Sequence, residues 1–387
     1  MSSKRLQNPL LLVASYIFYA YWDWRFLGLI LISTLLDFSI GRRLGALDDK
    51  TRLDSEIKID AWSRKKLVCL SVICNLGILG FFKYFNFFTS STLKLLAQMD
   101  IQVDPVWVDL ILPIGISFYT FQTMSYTIDV YRGKLKPCES LVNFAVFVSF
   151  FPQLVAGPIE RAANLLPQIE RQRSVDATHV TAGLSLIVLG YFKKVFIADN
   201  LALIVNPVFN AHSQYHGLDI GLAVVAFAFQ IYCDFSGYSD IARGLARLMG
   251  FELMVNFRLP YVSLNPSDFW QRWHISLSSW LRDYLYIPLG GNRLGSYQTL
   301  RNLMATMMLG GLWHGASWNF ILWGFYHGLL LVVYRGWSNL RLWPEPQLPQ
   351  WVQGTMVSMR WALMFGFTLV GWLIFRASGL EQIIDMA

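Results

Sequence analysis

Charge is scarce in this chain. Asp, Glu, Lys and Arg make up 15% of its 387 residues, against about 25% in soluble domains. Hydrophobic residues reach 55% and aromatics 16%, which excludes a disordered segment. Cysteine is also sparse. Cys69, Cys74, Cys138 and Cys233 form neither a CxxC pair nor any zinc-ligand spacing, so a secreted disulfide scaffold is excluded and no metal is expected. Cys69 and Cys74 lie in an apolar run, where small buried hydrophobes are expected. HExxH is absent, as is the GxSxG elbow of serine hydrolases. Gly290-Gly291-Asn292-Arg293 lacks the lysine and spacing of a phosphate-binding loop. There is no internal repeat, no low-complexity tract, and no small-residue cleavage site after the first apolar run.

What the chain has in abundance is apolar sequence. Mean hydropathy is +0.41, and the net charge of +7 on so greasy a chain points to cytoplasmic loops and anionic headgroups, not nucleic acid. A spanning helix needs ~20 apolar residues. Runs near 26–40, 66–88, 107–128, 141–157, 180–205, 218–238, 302–334 and 356–375, with a short one from Pro9 to Trp22, predict about nine membrane elements. Charged connectors separate them at Gly41 to Lys66, Glu160 to Asp176 and the proline-rich Trp337 to Gln353. Arg42, Arg43 and Arg64 to Lys66 place the first connector in the cytoplasm. The expected fold is all-α: one polytopic domain over residues 1–387, a transmembrane bundle with broken or re-entrant helices around a central tunnel.

Two segments do not read as ordinary spans. In Asn265 to Gly291, NPSDFWQRWHISLSSWLRDYLYIPLGG, Asn265 serves as N-cap, Pro266 opens the helix and Asp268 favours its first turn. Pro288, Gly290 and Gly291 end it. Trp270, Trp273, Leu277, Trp280, Leu281, Tyr284 and Leu285 share one stripe, with Gln271, Arg272, Ser276, Ser279, Arg282 and Asp283 opposite. The segment is too charged to span, so it lies at the interface or lines a cavity. His274 falls within the apolar stripe, which fits a packed ring bonded to backbone as well as it fits a functional group.

The second segment, Asn302 to Tyr334, holds 33 residues without Asp, Glu, Lys or Arg. One straight helix of that length would reach ~50 Å, and two full spans need ~40 residues plus a turn. A helix broken near Gly310, Gly311 and Gly315 fits, and irregular backbone at membrane depth is tolerated where it is buried in protein or faces water. His314 sits at this break, and an ionisable group there is a functional hypothesis by default. His314 and His327 are thirteen residues apart, on nearly opposite helix faces, which makes them a poor zinc pair. His212 and His216 have ligand-like spacing without an evident third ligand. Asp234, in YCDFSGYSD, closes an apolar run from Leu218 and reads either as a cavity carboxylate or as the emergence of a span.

Phe269 to Gly291 together with Leu312-Trp313-His314-Gly315 resembles the membrane-bound O-acyltransferase family, most closely its bacterial branch containing the alginate O-acetylases. Further echoes are LLVASYIFY (11–19), LPIGISFYTF (112–121), VAGPIER (155–161) and DFSGYSDIARGLARL (234–248). The resemblance covers nearly the whole chain. Relatives usually begin with a further hydrophobic segment and continue beyond Phe375-Arg376-Ala377, so truncation at both ends is expected.

The resemblance implies a catalytic His314 with His274 as its partner, in a bacterial inner membrane. The implied reaction moves acetyl from a thioester to a sugar hydroxyl, with no tightly bound cofactor. The donor, acetyl-CoA or a downstream carrier of its acyl group, arrives from the cytoplasm. The acceptor is an exported polysaccharide such as alginate, reached directly or through a periplasmic partner protein. A neutral imidazole can take the hydroxyl proton as attack begins, and an apolar surround keeps it neutral. His314 is the expected base, and His274 orients the substrate or donates to the oxyanion. Trp313, Trp270 and Trp273 are expected along the path. Arg272, Arg282 and Arg293 attract an anionic donor or contact lipid headgroups. Two rivals stand beside this reading: D-alanyl transfer toward teichoic acid, and a non-catalytic membrane scaffold handing on acyl groups or glycan.

Overall fold

The computed structural model describes residues 4–53, 61–101, 103–104, 108, 110–340 and 350–387. Helices account for its regular structure, and no strand occurs among the described residues. Contacts divide the chain into two compact units: Met1–Ile187 with Ile241–Met254, and Val188–Asp240 with Val255–Ala387.

The first unit contains α1 (Lys4–Asp23), α2 (Leu27–Leu53), α3 (Ala61–Leu79), α4 (Phe85–Gln98), α5 (Ile116–Tyr131), α6 (Leu141–Ser149), α7 (Phe151–Leu154), α8 (Ala162–Glu170) and most of α9 (Ala177–Tyr191). Asp23 separates α1 from α2. Its backbone is extended (φ −161°, ψ 108°), and its carboxylate accepts from the Arg25 amide at 3.0 Å. The core is built of Ile30, Leu44, Tyr119, Tyr126, Phe144, Phe147, Phe150 and Phe251. One carboxylate, Asp37, is fully buried among them and accepts hydrogen bonds from Ser71, from Asn75 at 2.8 Å and from Thr127 at 2.8 Å. Such pairing is what lets a polar group stay inside an apolar bundle. Glu160 is likewise buried and accepts from the Met254 amide and from Asn164 at 2.7 Å.

The second unit takes the end of α9, a π-helical segment Phe192–Ala198, α10 (Asp199–Asn210) and α11 (Leu218–Leu248) as far as Asp240. After an irregular stretch come α12 (Pro266–Arg272), α13 (Ile275–Leu281), a π-helical turn Arg282–Tyr286, α14 (Ser296–His314), α15 (Trp318–Leu340), α16 (Gln350–Arg376) and α17 (Leu380–Met386). Its core gathers Phe227, Phe269, Trp273, Trp323 and Trp372. α14 and α15 form a hairpin with almost no space between the backbones. A Cβ at Gly311 would strike the Phe320 carbonyl oxygen, and one at Gly324 the Met307 carbonyl oxygen. Small residues at such crossings let helices approach closely.

Among the described residues, five helical stretches are long and apolar enough to cross a membrane: Leu6–Leu47, Trp62–Gln98, Ala177–Asn210, Leu218–Leu248 and Val352–Arg376. The protein is therefore an all-α, multi-pass membrane protein, with fewer full-length candidates than the nine expected elements. The 141–157 run is broken at Phe150 (φ −54°, ψ 103°) into helices of 9 and 4 residues, about 14 and 6 Å long. In the 107–128 run helix starts only at Ile116, and residues 107 and 109 lie outside the described residues. The 302–334 run breaks at Gly315–Ser317, leaving Gly310 and Gly311 helical. Two helices fit because α14 begins six residues earlier, at Ser296, and α15 continues to Leu340. The polar connector expected from Gly41 starts as helix, since α2 runs on to Leu53. Pro344, Pro346 and Pro349 of the last connector fall outside the described residues. Cys69 is exposed and Cys74 half-exposed; an apolar run marks a membrane segment without fixing which side packs inward.

Candidate functional site

The Asn265 to Gly291 segment begins as its sequence predicts. The Asn265 side chain accepts from the Asp268 amide at 2.8 Å, with Pro266 at the first helical position. Its continuity does not hold. α12 stops at Arg272, and His274 takes a left-handed conformation (φ 42°, ψ 55°) before α13 starts at Ile275. A non-glycine residue held there costs on the order of 1–3 kcal/mol and persists only when its surroundings over-determine it. Here the irregular segment before α12 supplies the constraint. The Arg258 amide donates to the Arg272 carbonyl at 2.9 Å, and the Ile275 amide to the Asn256 carbonyl at 2.9 Å.

The break turns His274 inward, where it has no solvent exposure. Nδ1 lies 3.2 Å from Asn256 Oδ1, while Nε2 is buried without a hydrogen-bond partner among the described residues. The rings of Phe235, Phe257 and Trp313 surround it at centroid distances of 4.7, 6.3 and 5.9 Å. Burial first, and the neighbouring His314 second, push this imidazole well below its ordinary value, so it is neutral at physiological pH.

His314 is the last residue of α14, before Gly315 extends the chain. It is half-buried, with its ring 6.5 Å from that of His274. Trp313 and Trp323 each lie 5.1 Å away and Phe375 5.4 Å away. His314 faces a cavity of 470 Å³ walled by α12, α13, the π-helical turn, α14 and α15, a volume typical of small-ligand sites. Leu277, Leu281, Leu303 and Met307 give it an apolar lining, and Gln271, Ser278, Arg282, Tyr286 and Thr306 add polar groups. The turn carrying Arg282 and Tyr286 is π-helical, a local widening frequent at functional sites.

Of the residues singled out from sequence, His314, Trp270 and Arg282 line this cavity. His274 and Trp313 sit behind its wall, within ring contact of His314. Trp273 belongs to the core, stacked on Phe269 at 5.9 Å and close to Trp372 at 4.7 Å. Arg272 pairs with Asp268 at 2.7 Å. Asp234 stands in the middle of α11, paired with Lys194 at 2.6 Å, and is not part of the cavity lining. His327 packs between Trp270 and Trp323, and His212 pairs with Asp385 at 3.3 Å. Among the described residues no cluster of three His, Cys, Asp or Glu is placed to hold a metal. Sequence reasoning placed Ser276 on the polar face of its segment without a role, and gave none to Asn256, Trp323 or Phe375. Only Asn256 carried a signal, as a polar residue in an apolar stretch shortly before the histidine segment.

The model of the membrane-bound O-acyltransferase family matches residues 17–375. A probable alginate O-acetylase of Azotobacter vinelandii is 44% identical over 98% of this chain and 72% of its own length. A peptidoglycan O-acetyltransferase of Helicobacter pylori is 34% identical over 98% of this chain and 74% of its own. A teichoic acid D-alanyltransferase of Bacillus subtilis is 30% identical, with 68% of each chain covered. A match of this extent, over the segments that form the cavity, leaves one assignment: the chain belongs to the membrane-bound O-acyltransferase family.

Proposed function

We propose that this O-acyltransferase moves acetyl groups from a cytoplasmic thioester, acetyl-CoA or a carrier downstream of it, to hydroxyls of an exported polysaccharide of the alginate type. It works in the bacterial inner membrane, and the acetyl group reaches the glycan directly or through a periplasmic partner protein. The observation that carries the reading is His314 at the end of α14, on the wall of a largely apolar cavity, with His274 behind it. The acceptor hydroxyl is a poor nucleophile at neutral pH. As its oxygen attacks the thioester carbonyl carbon, His314 takes the hydroxyl proton. The carbon–sulfur bond then breaks, and the proton passes to the departing thiolate. General-base help of this kind contributes ~10²–10⁴-fold. The rings of Trp313, Trp323 and Phe375 pack around His314 and hold its place on the cavity wall. Arg282, which lines the cavity and pairs with Asp283 at 2.8 Å, supplies a positive charge for an anionic donor. The identity to alginate O-acetylases supports acetyl and a polysaccharide over D-alanine and teichoic acid.

The test is base-labile acetate on envelope polysaccharide from cells lacking their own gene. These cells carry either this chain or His314→Ala at matched membrane levels. Acetate restored only by the unaltered chain supports the reading. Equal acetate from both overturns the base role and favours the scaffold.

A further inference from the structure

Asn256 makes more contacts to the histidine segment than a filler of buried space needs. It is 1% exposed, and its Oδ1 receives the Ser276 amide at 3.1 Å, the Ser276 hydroxyl at 2.9 Å and His274 Nδ1 at 3.2 Å. Its backbone carbonyl accepts from the Ile275 amide at 2.9 Å, and its Nδ2 reaches Ser239 Oγ at 3.5 Å. A backbone N–H can only donate, so the Ser276 amide fixes which end of the Asn256 side chain faces the histidine: the carbonyl oxygen. A carbonyl oxygen can only accept, so a hydrogen bond from His274 Nδ1 requires the proton on Nδ1. The other contact on that nitrogen agrees. Ser276 Oγ lies 3.4 Å from Nδ1 but 2.9 Å from Asn256, so the hydroxyl proton goes to Asn256 and the oxygen lone pairs face Nδ1–H. With one proton on a neutral ring, Nε2 carries the lone pair. It is also the ring atom left buried and unpartnered among the described residues.

We propose that Asn256 is a positioning residue that holds His274 in the Nδ1–H tautomer, so that Nε2 enters the reaction as a hydrogen-bond acceptor. The inference rests on the reading of the His314 cavity as the transfer site. It selects between the two roles open to His274: a neutral ring protonated on Nδ1 orients a proton-bearing group and cannot donate from Nε2 to an oxyanion. The left-handed backbone at His274 serves the same end, since the amides of Ile275 and Ser276 are thereby brought onto Asn256. A partner that fixes a histidine's tautomer through its remote nitrogen is a general device; where the histidine binds a metal, losing that partner costs about 10–100-fold, and a loss of the same order is expected here.

Imidazole nitrogen-15 spectra of the purified full chain in detergent, labelled at its six histidines, test this directly. His274→Gln identifies the His274 resonances by their disappearance. The proton is expected on Nδ1 in the unaltered chain. In Asn256→Ala the resonances should move toward a mixture of tautomers, with acetate transfer down 10–100-fold. Asn256→Asp keeps an acceptor for both Nδ1 and the Ser276 amide, and should restore the tautomer and most of the transfer. A proton on Nε2 in the unaltered chain overturns the proposal, as does an unchanged tautomer in Asn256→Ala. If Asn256→Ala does not accumulate, the unaltered chain and Asn256→Asp still decide the protonation site. Full transfer by His274→Gln, even beside a confirmed Nδ1 proton, overturns the proposal, since Nε2 then takes no part in the reaction.

Discussion

The rings of His274 and His314 lie 6.5 Å apart at an angle of 63°, one at the kink between two short helices and the other at the end of a long one. At that separation a proton on one ring opposes a proton on the other, and burial already disfavours charge on His274. Below pH ~6.5 the unfolded chain therefore binds a proton at this position that the native chain does not. Stability consequently rises with pH through this window and falls as the pH drops below ~6.5, by up to ~1.4 kcal/mol per pH unit for this one group. His274→Gln should flatten the slope of thermal midpoint against pH between 6.5 and 5. An unchanged slope would show that His274 is protonated in the folded protein.

Gly311 and Gly324 decide how closely α14 and α15 approach, and so where His314 sits. A methyl group on Gly311 meets the Phe320 carbonyl oxygen, with the Gly324 amide nitrogen at 3.0 Å and its Cα at 3.1 Å. Backbone atoms cannot rotate aside, so the helices must part. Gly311→Ala is expected to destabilise by about 1–3 kcal/mol, the usual range for overpacking, and to lower transfer by displacing His314. Gly336→Ala is the control. It lies on the partner helix α15 with nothing within 4 Å, and alanine is the better helix former by about 1 kcal/mol. Thermal midpoints of the two variants should therefore move in opposite directions.

Helix content, the cap at Asn265 and the break beside His314 were legible because each has a local signature: apolar length, cap chemistry, or a cluster of glycines. The break at His274 was not. FWQRWHISLSSW keeps a helical period straight through it and contains neither Gly nor Pro, so local preference argues for a continuous helix. What wins is a clamp made by Asn256 and Arg258, residues outside the helix whose amide and carbonyl partners no periodicity reveals. The same limit explains Trp273 and Asp234. Sequence shows a residue to be apolar or charged, while its direction depends on which partner, Trp372 or Lys194, the rest of the fold brings to it.

Leu303 tests the cavity itself. It contributes to the wall from α14, is half-buried, and faces the same space as His314. Leu303→Trp places bulk into open volume and not into a packed core, so the thermal midpoint should stay within a few degrees. Acetate transfer should fall at least tenfold if donor or acceptor passes through this cavity. Undiminished transfer at matched protein levels would place the route elsewhere.

Asp234 and Lys194 form an ion pair of 2.6 Å, with Asp199 a second partner of the lysine at 2.8 Å. Asp234 is the 17th of 31 residues in one candidate span and Lys194 the 18th of 34 in another. Each is thus near the middle of its stretch, the part that a ~30 Å core would cover if the stretch spans. A charge at that depth is tolerated when it is paired, which makes pairing the first role of Asp234. Asp234→Asn keeps a hydrogen-bond acceptor for Lys194, with Asp199 still beside it, and should leave acetate transfer within a few-fold. Asp234→Lys sets two cations together and should remove most folded protein from the membrane, with partial recovery when Lys194→Asp is added. A coupling of about 0.5–3 kcal/mol in that exchange is the range expected for residues in direct contact. Loss of transfer in Asp234→Asn at an unchanged thermal midpoint would instead give the carboxylate a part in the reaction.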